Sequence, residues 1–149
     1  MKNFKYIITL GTFLSFSILG ITSCVDGNDW DTVTANRLFG PKDKNFSITP
    51  DENIAQFEVT WKGVKDAKFY ILEISTSPLS DDIEMGTAEG SLVFGNGNDK
   101  ITSSPYIIKE LLPETSYYAR IKAIGQGIES NWVYAEKTYK TVKEQLLYE

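Results

Sequence analysis

The sequence alternates between apolar and polar residues with a period of two over most of its length after Phe46. Such alternation places successive side chains on opposite faces of an extended strand. Turn-forming residues, mainly Gly, Asn, Asp and Pro, separate the alternating segments, and no segment of any length has a helical period. The pattern therefore predicts an all-β domain of short strands packed as a sandwich. The predicted strands are residues 56–61, 68–76, 91–94, 106–109, 117–124 and 132–141.

The alternation also predicts which side chains face the core and which face away from it. The predicted core-facing residues are Phe57, Val59, Trp61, Tyr70, Leu72, Ile74, Tyr117, Ala119, Ile121 and Ala123. The alternate positions on the predicted strands 68–76, 117–124 and 132–141 project from the opposite side of the sheet. Seven residues on this side are the candidates for a ligand or partner site, and we call them the outer face: Ile71, Glu73, Tyr118, Arg120, Lys122, Trp132 and Tyr134.

The N-terminal segment has a different pattern. Lys2 and Lys5 precede a run of 16 uncharged residues, 6–21, which is short for a membrane span but suits the apolar region of a signal peptide. The run ends in Ile21-Thr22-Ser23-Cys24, which resembles the lipobox of bacterial lipoproteins. The resemblance implies that residues 1–23 are a lipoprotein signal peptide and that Cys24 is lipidated. The alternative is a short membrane anchor or a buried helix that happens to end in Cys.

Residues 24–45 have no sustained period and are predicted to form a flexible acidic tether. Val25 follows the cysteine, whereas Asp at this position would retain an enterobacterial lipoprotein in the inner membrane. The nearby acidic residues, Asp26, Asp29 and Asp31, resemble the export signal on surface lipoproteins of Bacteroidetes. The expected location is therefore the outer membrane, lipid-anchored and facing outward. Within the tether, Thr32 lies in a short motif that resembles a Bacteroidetes O-glycosylation acceptor.

The composition excludes several classes of function. The chain of 149 residues has no histidine and one cysteine, so it has no Ser-His-Asp triad, no His-ligated metal and no intramolecular disulfide. Its net charge of −5 is the wrong sign for a nucleic-acid binder, because Lys and Arg must neutralise phosphates. We expect no cofactor, no metal site and no nucleic-acid partner.

Several motifs resemble the fibronectin type III pattern. Val59-Thr60-Trp61 and residues 67–73 are followed by Leu111, Pro113, Thr115 and Tyr117 in the arrangement Leu-x-Pro-x-Thr-x-Tyr. The resemblance implies an immunoglobulin-like β-sandwich of about seven strands over residues 46–141. It also implies that Tyr117 forms a tyrosine corner and that Trp61 packs in the core against Tyr70. The long stretch 77–100, rich in Gly and Asp, departs from this pattern.

The outer face has two interpretations. Aromatic rings beside charged groups suit sugar recognition, since a ring can stack on a pyranose while Arg or Glu binds hydroxyl groups. Alternatively, Arg120 stacks on Trp132 in a cation–π contact that holds the edge strand in register. The loop carboxylates Asp81, Asp82 and Glu84 are the nearest approach to a catalytic cluster, but a small sandwich offers little concavity, and we predict that the protein is not an enzyme.

The lipobox, the tether, residues 37–41 and the sandwich together resemble the N-terminal part of surface lipoproteins from Bacteroidetes polysaccharide-utilisation systems. The resemblance implies a non-catalytic spacer or interaction module that takes part in polysaccharide capture. Its partners would be the membrane, through the lipid on Cys24, and polysaccharide or other surface proteins. The alternative is a protein that binds carbohydrate directly through the outer face. Residues 142–149 are predicted to form a tail, either a ragged end or the start of a further domain.

Overall fold

Eight β-strands make up the regular structure of the described part of the chain. The computed structural model describes residues 37–42 and 45–143. Within these ranges the chain forms no α-helix, and hence no helix long and apolar enough to cross a membrane. The predicted signal peptide, Cys24, Thr32 and most of the predicted tail lie outside the described residues.

The strands form two antiparallel sheets. In chain order they are β1 (Ser47–Pro50), β2 (Phe57–Thr60), β3 (Phe69–Ser75), β4 (Leu92–Phe94), β5 (Tyr106–Ile108), β6 (Ser116–Ile124), β7 (Val133–Tyr134) and β8 (Tyr139–Lys140). In the first sheet, the strand order is β1-β2-β5. In the second, the order is β4-β3-β6-β7, and β8 also pairs with β6.

The hydrophobic core lies between the two sheets. All ten side chains predicted to face it are buried, which confirms the faces assigned to β2, β3 and β6. Full burial of a large apolar side chain contributes roughly 1.5–3 kcal/mol, so this inner layer supplies the main stabilisation of the sandwich. The architecture confirms the predicted immunoglobulin-like β-sandwich.

The last strand differs from the prediction of one strand over residues 132–141. Tyr134 lies opposite Arg120, whereas Tyr139 lies opposite Tyr117. Tyr134 and Tyr139 are five positions apart, whereas their partners Arg120 and Tyr117 are three positions apart on β6. The chain between Tyr134 and Tyr139 therefore has two extra residues, which form a bulge. The bulge divides the predicted strand 132–141 into β7 and β8. This division, together with β1, which is absent from the six predicted strands, gives the eight strands observed.

The segment 37–42 also differs from its predicted place in the tether. Leu38 belongs to the core, and its N–H donates a hydrogen bond to the carbonyl oxygen of Glu129 at 3.1 Å. Pro41 is fully buried. The folded part of the chain therefore includes residues that the composition alone assigns to a linker.

Strand β3 is buried on both of its faces, apart from the half-buried Phe69 at its start. One face packs on the core. The other is covered around Glu73 by residues 77–91, which belong to the connection between β3 and β4. This segment crosses the outer side of the sheet, and we call it the strap. This cover determines what the outer face can do.

Candidate functional site

The outer face is a partly covered surface rather than an open one. Glu73 and Arg120 have no exposed area, and Ile71 is 5% exposed. Tyr118, Lys122, Trp132 and Tyr134 are half-buried. The prediction that all seven residues project from an exposed face is therefore wrong for Ile71, Glu73 and Arg120. For Glu73 and Arg120 the physical reason is the strap, which a pattern with a period of two cannot reveal.

Glu73 and Arg120 form a buried ion pair across β3 and β6. Their Cα atoms are direct cross-strand partners, which places both side chains on the same side of the sheet. Carboxylate oxygen Oε2 of Glu73 accepts hydrogen bonds from Nε of Arg120 at 2.8 Å and lies 2.7 Å from Nη2. The two groups thus satisfy each other's charge without water, as a buried pair requires.

The same pair holds the strap in place. Arg120 donates from Nη1 to the carbonyl oxygen of Ser80 at 2.7 Å and from Nη2 to that of Ile83 at 3.0 Å. Oxygen Oε1 of Glu73 accepts hydrogen bonds from the Gly86 N–H at 2.9 Å and the Ser91 hydroxyl at 2.6 Å. Every charged group of the pair is therefore occupied by the protein's own backbone and side chains. We call this arrangement the clasp, consisting of Glu73, Arg120 and their four partners on the strap.

Trp132 lies beside two cations. The Arg120 guanidinium carbon is 4.4 Å from the ring centroid, and Lys122 Nζ is 4.9 Å from it. The cation–π contact that the sequence suggested between Arg120 and Trp132 is thus present. Lys122 also pairs with the carboxylate of Glu129 at 2.9 Å. These contacts hold the short strand β7 and the preceding loop against β6.

Tyr134, on β7, makes a further contact between the outer face and the strap. Its hydroxyl donates a hydrogen bond of 2.6 Å to the Asp81 carboxylate. Burial, and secondly this hydrogen bond, raise the pKa of the Tyr134 phenol above its ordinary value of 10.0, because both favour the neutral form. Tyr134 therefore remains protonated and serves as a donor rather than as a base.

The cavity beside Tyr134 is small. It has a volume of about 160 Å³ and is lined by residues including Leu79, Tyr118 and Tyr134. Cavities that bind small molecules typically measure about 300–1,000 Å³. Asp82 and Glu84 are exposed on the strap, and the described residues contain no group of His, Cys, Asp or Glu side chains that could hold a metal ion. The outer face thus offers neither a cleft nor a pair of opposed carboxylates.

The residues assigned structural roles occupy the positions that the motifs predict. Trp61 packs on Tyr70 with ring centroids 5.1 Å apart, and the Tyr70 hydroxyl accepts a hydrogen bond from the Val64 N–H at 2.7 Å. The Tyr117 hydroxyl accepts a hydrogen bond from the Leu112 N–H at 3.1 Å, which is the expected tyrosine corner. In the same turn Leu111 is buried, while Thr115 donates from its hydroxyl to the carbonyl oxygen of Pro113 at 2.9 Å.

A second surface feature was not predicted from the sequence. A groove of about 450 Å³ lies between residues 37–42 and residues 62–66, and we call it the N-terminal groove. Its floor contains the apolar residues Leu38, Pro41 and Val64. The groove exists because residues 37–42 pack on the domain, and the sequence carries only a weak signal for that packing, the run of apolar residues after Arg37.

Solved structures are similar to this chain, and three of them are as follows. The fibronectin type III domain of human collagen alpha-1(XX) matches with a TM-score of 0.51 at 14% identity, over 79% of this chain and 98% of the domain. A Fn3-like protein from Clostridium thermocellum matches with a TM-score of 0.49 at 18% identity, over 76% of this chain and all of that protein. FN3tt matches with a TM-score of 0.49 at 21% identity, over 70% of this chain and 95% of FN3tt.

No protein-family model and no curated protein sequence matches the chain. The fold is nevertheless defined by the two antiparallel sheets, by the tyrosine corner at Tyr117 and by the likeness to the collagen domain. The chain has the fibronectin type III fold.

Proposed function

We propose that the protein is a non-catalytic spacer or interaction module of a surface lipoprotein. The observation that carries this proposal is the clasp, since the charged groups best placed for chemistry on the sheet are used to hold the strap. A fibronectin type III fold accords with such a role. In this proposal the domain presents stable surfaces to its surroundings and performs no reaction.

We further propose that a lipid on Cys24 attaches the domain to the outer membrane, facing outward, where it supports polysaccharide capture. The support for this part comes from the sequence, namely the lipobox at residues 21–24 and the acidic residues that follow it. Several acyl chains on one residue would hold the protein firmly, because a single chain binds a membrane only marginally.

Direct carbohydrate binding through the outer face is the less favoured function. A sugar site needs donors and acceptors that are free to bind hydroxyl groups, but Glu73 and Arg120 are fully buried and bonded. Trp132 already lies against two cations, so part of its ring is occupied. The geometry supports a structural role for these residues.

The anchor is tested by replacing the cysteine and separating membranes from soluble protein. The Cys24→Ala chain is expected to appear in the soluble fraction, while the matched control Thr22→Ala, which keeps a small residue in the lipobox, stays with the membranes. Membrane attachment of Cys24→Ala equal to that of the native chain would show that Cys24 is not the anchor.

Binding and catalysis are tested on one panel of polysaccharides with the full chain. We expect no saturable change in tryptophan fluorescence and no release of reducing sugar. A saturable change that Trp132→Ala removes, and that Ile107→Ala on the other sheet keeps, would establish direct binding instead. Release of sugar that Asp81→Ala or Glu84→Ala abolishes would show that the protein is an enzyme.

A further inference from the structure

The N-terminal groove differs in charge from the rest of the protein. Four cationic side chains line it, and Asp66 is the one carboxylate among its lining residues. The whole chain, by contrast, has 15 basic and 20 acidic residues. The groove is therefore a local concentration of positive charge on an acidic protein. The four cations are Arg37, Lys42, Lys62 and Lys65.

These cations are exposed, and carboxylates do not neutralise them within the described residues. The ion pairs found there are Arg120 with Glu73 and Lys122 with Glu129, and neither pair includes a side chain that lines the groove. Arg37 makes one hydrogen bond, to the side-chain oxygen of Asn131 at 3.2 Å. The positive charge of the groove is thus available to an external anion.

A large apolar side chain stands at the rim of the groove. Phe39 is 87% exposed, the highest value among the exposed large apolar residues of the described part. Its neighbours are fixed, since Leu38 and Pro41 are buried and a Cβ atom on Gly40 would lie 2.6 Å from Val133. Because the residues on either side are held inward, the backbone presents Phe39 to the outside.

An exposed aromatic residue among exposed cations is the combination that binds an anionic lipid surface. The ring enters the boundary between headgroups and acyl chains, while the cations bind phosphate groups. Each Lys or Arg close to an anionic leaflet strengthens binding about fivefold. Phosphate oxygens would also be attracted to the four cations of the groove more strongly than they are repelled by Asp66.

We propose that the N-terminal groove, with Phe39 at its rim, lies against the anionic headgroups of the membrane that carries the anchor. The proposal rests on the proposed lipidation of Cys24, which is 13 residues before Arg37. A chain of that length extends to at most about 45 Å, so the anchor keeps the groove within reach of the headgroups. The lipid and the groove then form two attachments, and the second fixes which end of the domain faces the membrane.

Reactivity of lysine side chains tests this orientation without altering the protein. The full chain is placed in lipid nanodiscs, either neutral or containing phosphatidylglycerol, and treated with an amine-reactive reagent. Mass spectrometry then gives the labelling rate at each lysine. Lys62 and Lys65 report on the groove. Lys109 serves as the control, because it follows Ile108, which pairs with Phe57 at the end of β2 away from Lys62.

We expect labelling at Lys62 and Lys65 to fall several-fold in anionic discs relative to neutral ones, with no change at Lys109. A Phe39→Ser chain is expected to lose part of this protection, whereas Ile107→Ser, an exposed apolar residue on the three-stranded sheet, keeps it. Equal labelling of the groove lysines in the two kinds of disc, with the chain still bound to the discs, would overturn the proposal.

The lipid anchor is checked separately in the same discs. If Cys24→Ala stays bound with the groove lysines protected, the groove is itself a membrane-binding surface, and the anchor assignment fails if this variant binds as tightly as the native chain. If protection appears with a soluble anionic polysaccharide and not with anionic lipid, the groove binds glycan and the membrane proposal is wrong.

Discussion

Replacing Arg120 by Met is expected to destabilise the protein severely, because it leaves the Glu73 carboxylate buried without its cation. Removing one partner of a buried ion pair typically costs about 3–5 kcal/mol. Both side chains here have no exposed area, so water cannot compensate for the loss. The carbonyl oxygens of Ser80 and Ile83 lose their donors at the same time, and the strap opens.

Urea unfolding of three variants separates the clasp from ordinary packing. The double variant Glu73→Met with Arg120→Met removes both charges, and we expect it to be at least about 1 kcal/mol more stable than Arg120→Met alone, because an unpaired buried charge costs more than replacing the whole pair by apolar residues. The control Lys122→Met breaks the neighbouring pair, in which Glu129 is 61% exposed, and is expected to cost less than about 1 kcal/mol.

Amide hydrogen exchange identifies the region affected. The Gly86 N–H bonds to Glu73 and the Thr76 N–H bonds to Glu89. Exchange at both groups should become faster in Arg120→Met, while the amide groups of the core strands keep the same ranking of exchange rates. The reasoning would be refuted if Arg120→Met lost no more stability than Lys122→Met, or if the double variant were less stable than the single one.

Three further predictions concern the sandwich itself. Tyr117→Phe removes the acceptor of the tyrosine corner and should lower the free energy of unfolding by about 1 kcal/mol, and an unchanged urea midpoint would contradict this. Gly95→Ala should cost at least about 1–2 kcal/mol, since its φ is +80°, whereas Gly97→Ala, which faces open space, should cost under about 0.5 kcal/mol by the same measurement. The pKa of Asp51 lies below its ordinary value of 3.8, chiefly because the Asn53 N–H donates to the carboxylate, so its stabilisation is complete above 3.8 and disappears as pH falls through the lower folded-state pKa. Asp51→Asn should accordingly be less stable than the native chain at neutral pH and no less stable in strong acid.

The inner layer of the fold could be predicted because alternation has a direct physical cause. Apolar residues at every second position must share one face, so Phe57, Leu72 and Ile121 could be assigned to the core before any coordinates existed. The tyrosine corner at Tyr117 could be predicted for another reason, since its turn needs particular residues at fixed spacing. Both signals are local in the sequence.

The strap and the groove could not be predicted because they depend on contacts between distant parts of the chain. Alternation places Glu73 and Arg120 on the outer side correctly, but it does not say what covers that side. A useful signal was present in the length of the connection after β3 and in two opposite charges at a cross-strand position. The bulge near Tyr134 could likewise not be predicted, because it is defined by how the last strand pairs with β6.

The division of the last strand has a consequence for crowded copies of the domain. An exposed sheet edge with a long row of unpaired N–H and C=O groups can bind the edge of a neighbouring molecule and begin aggregation. Here β7 and β8 contribute two residues each, and the bulge between them interrupts the row. The edge at β4 has three residues. Copies held side by side at high density therefore meet short, interrupted edges on this sheet, and they can stay separate there where continuous strands would join.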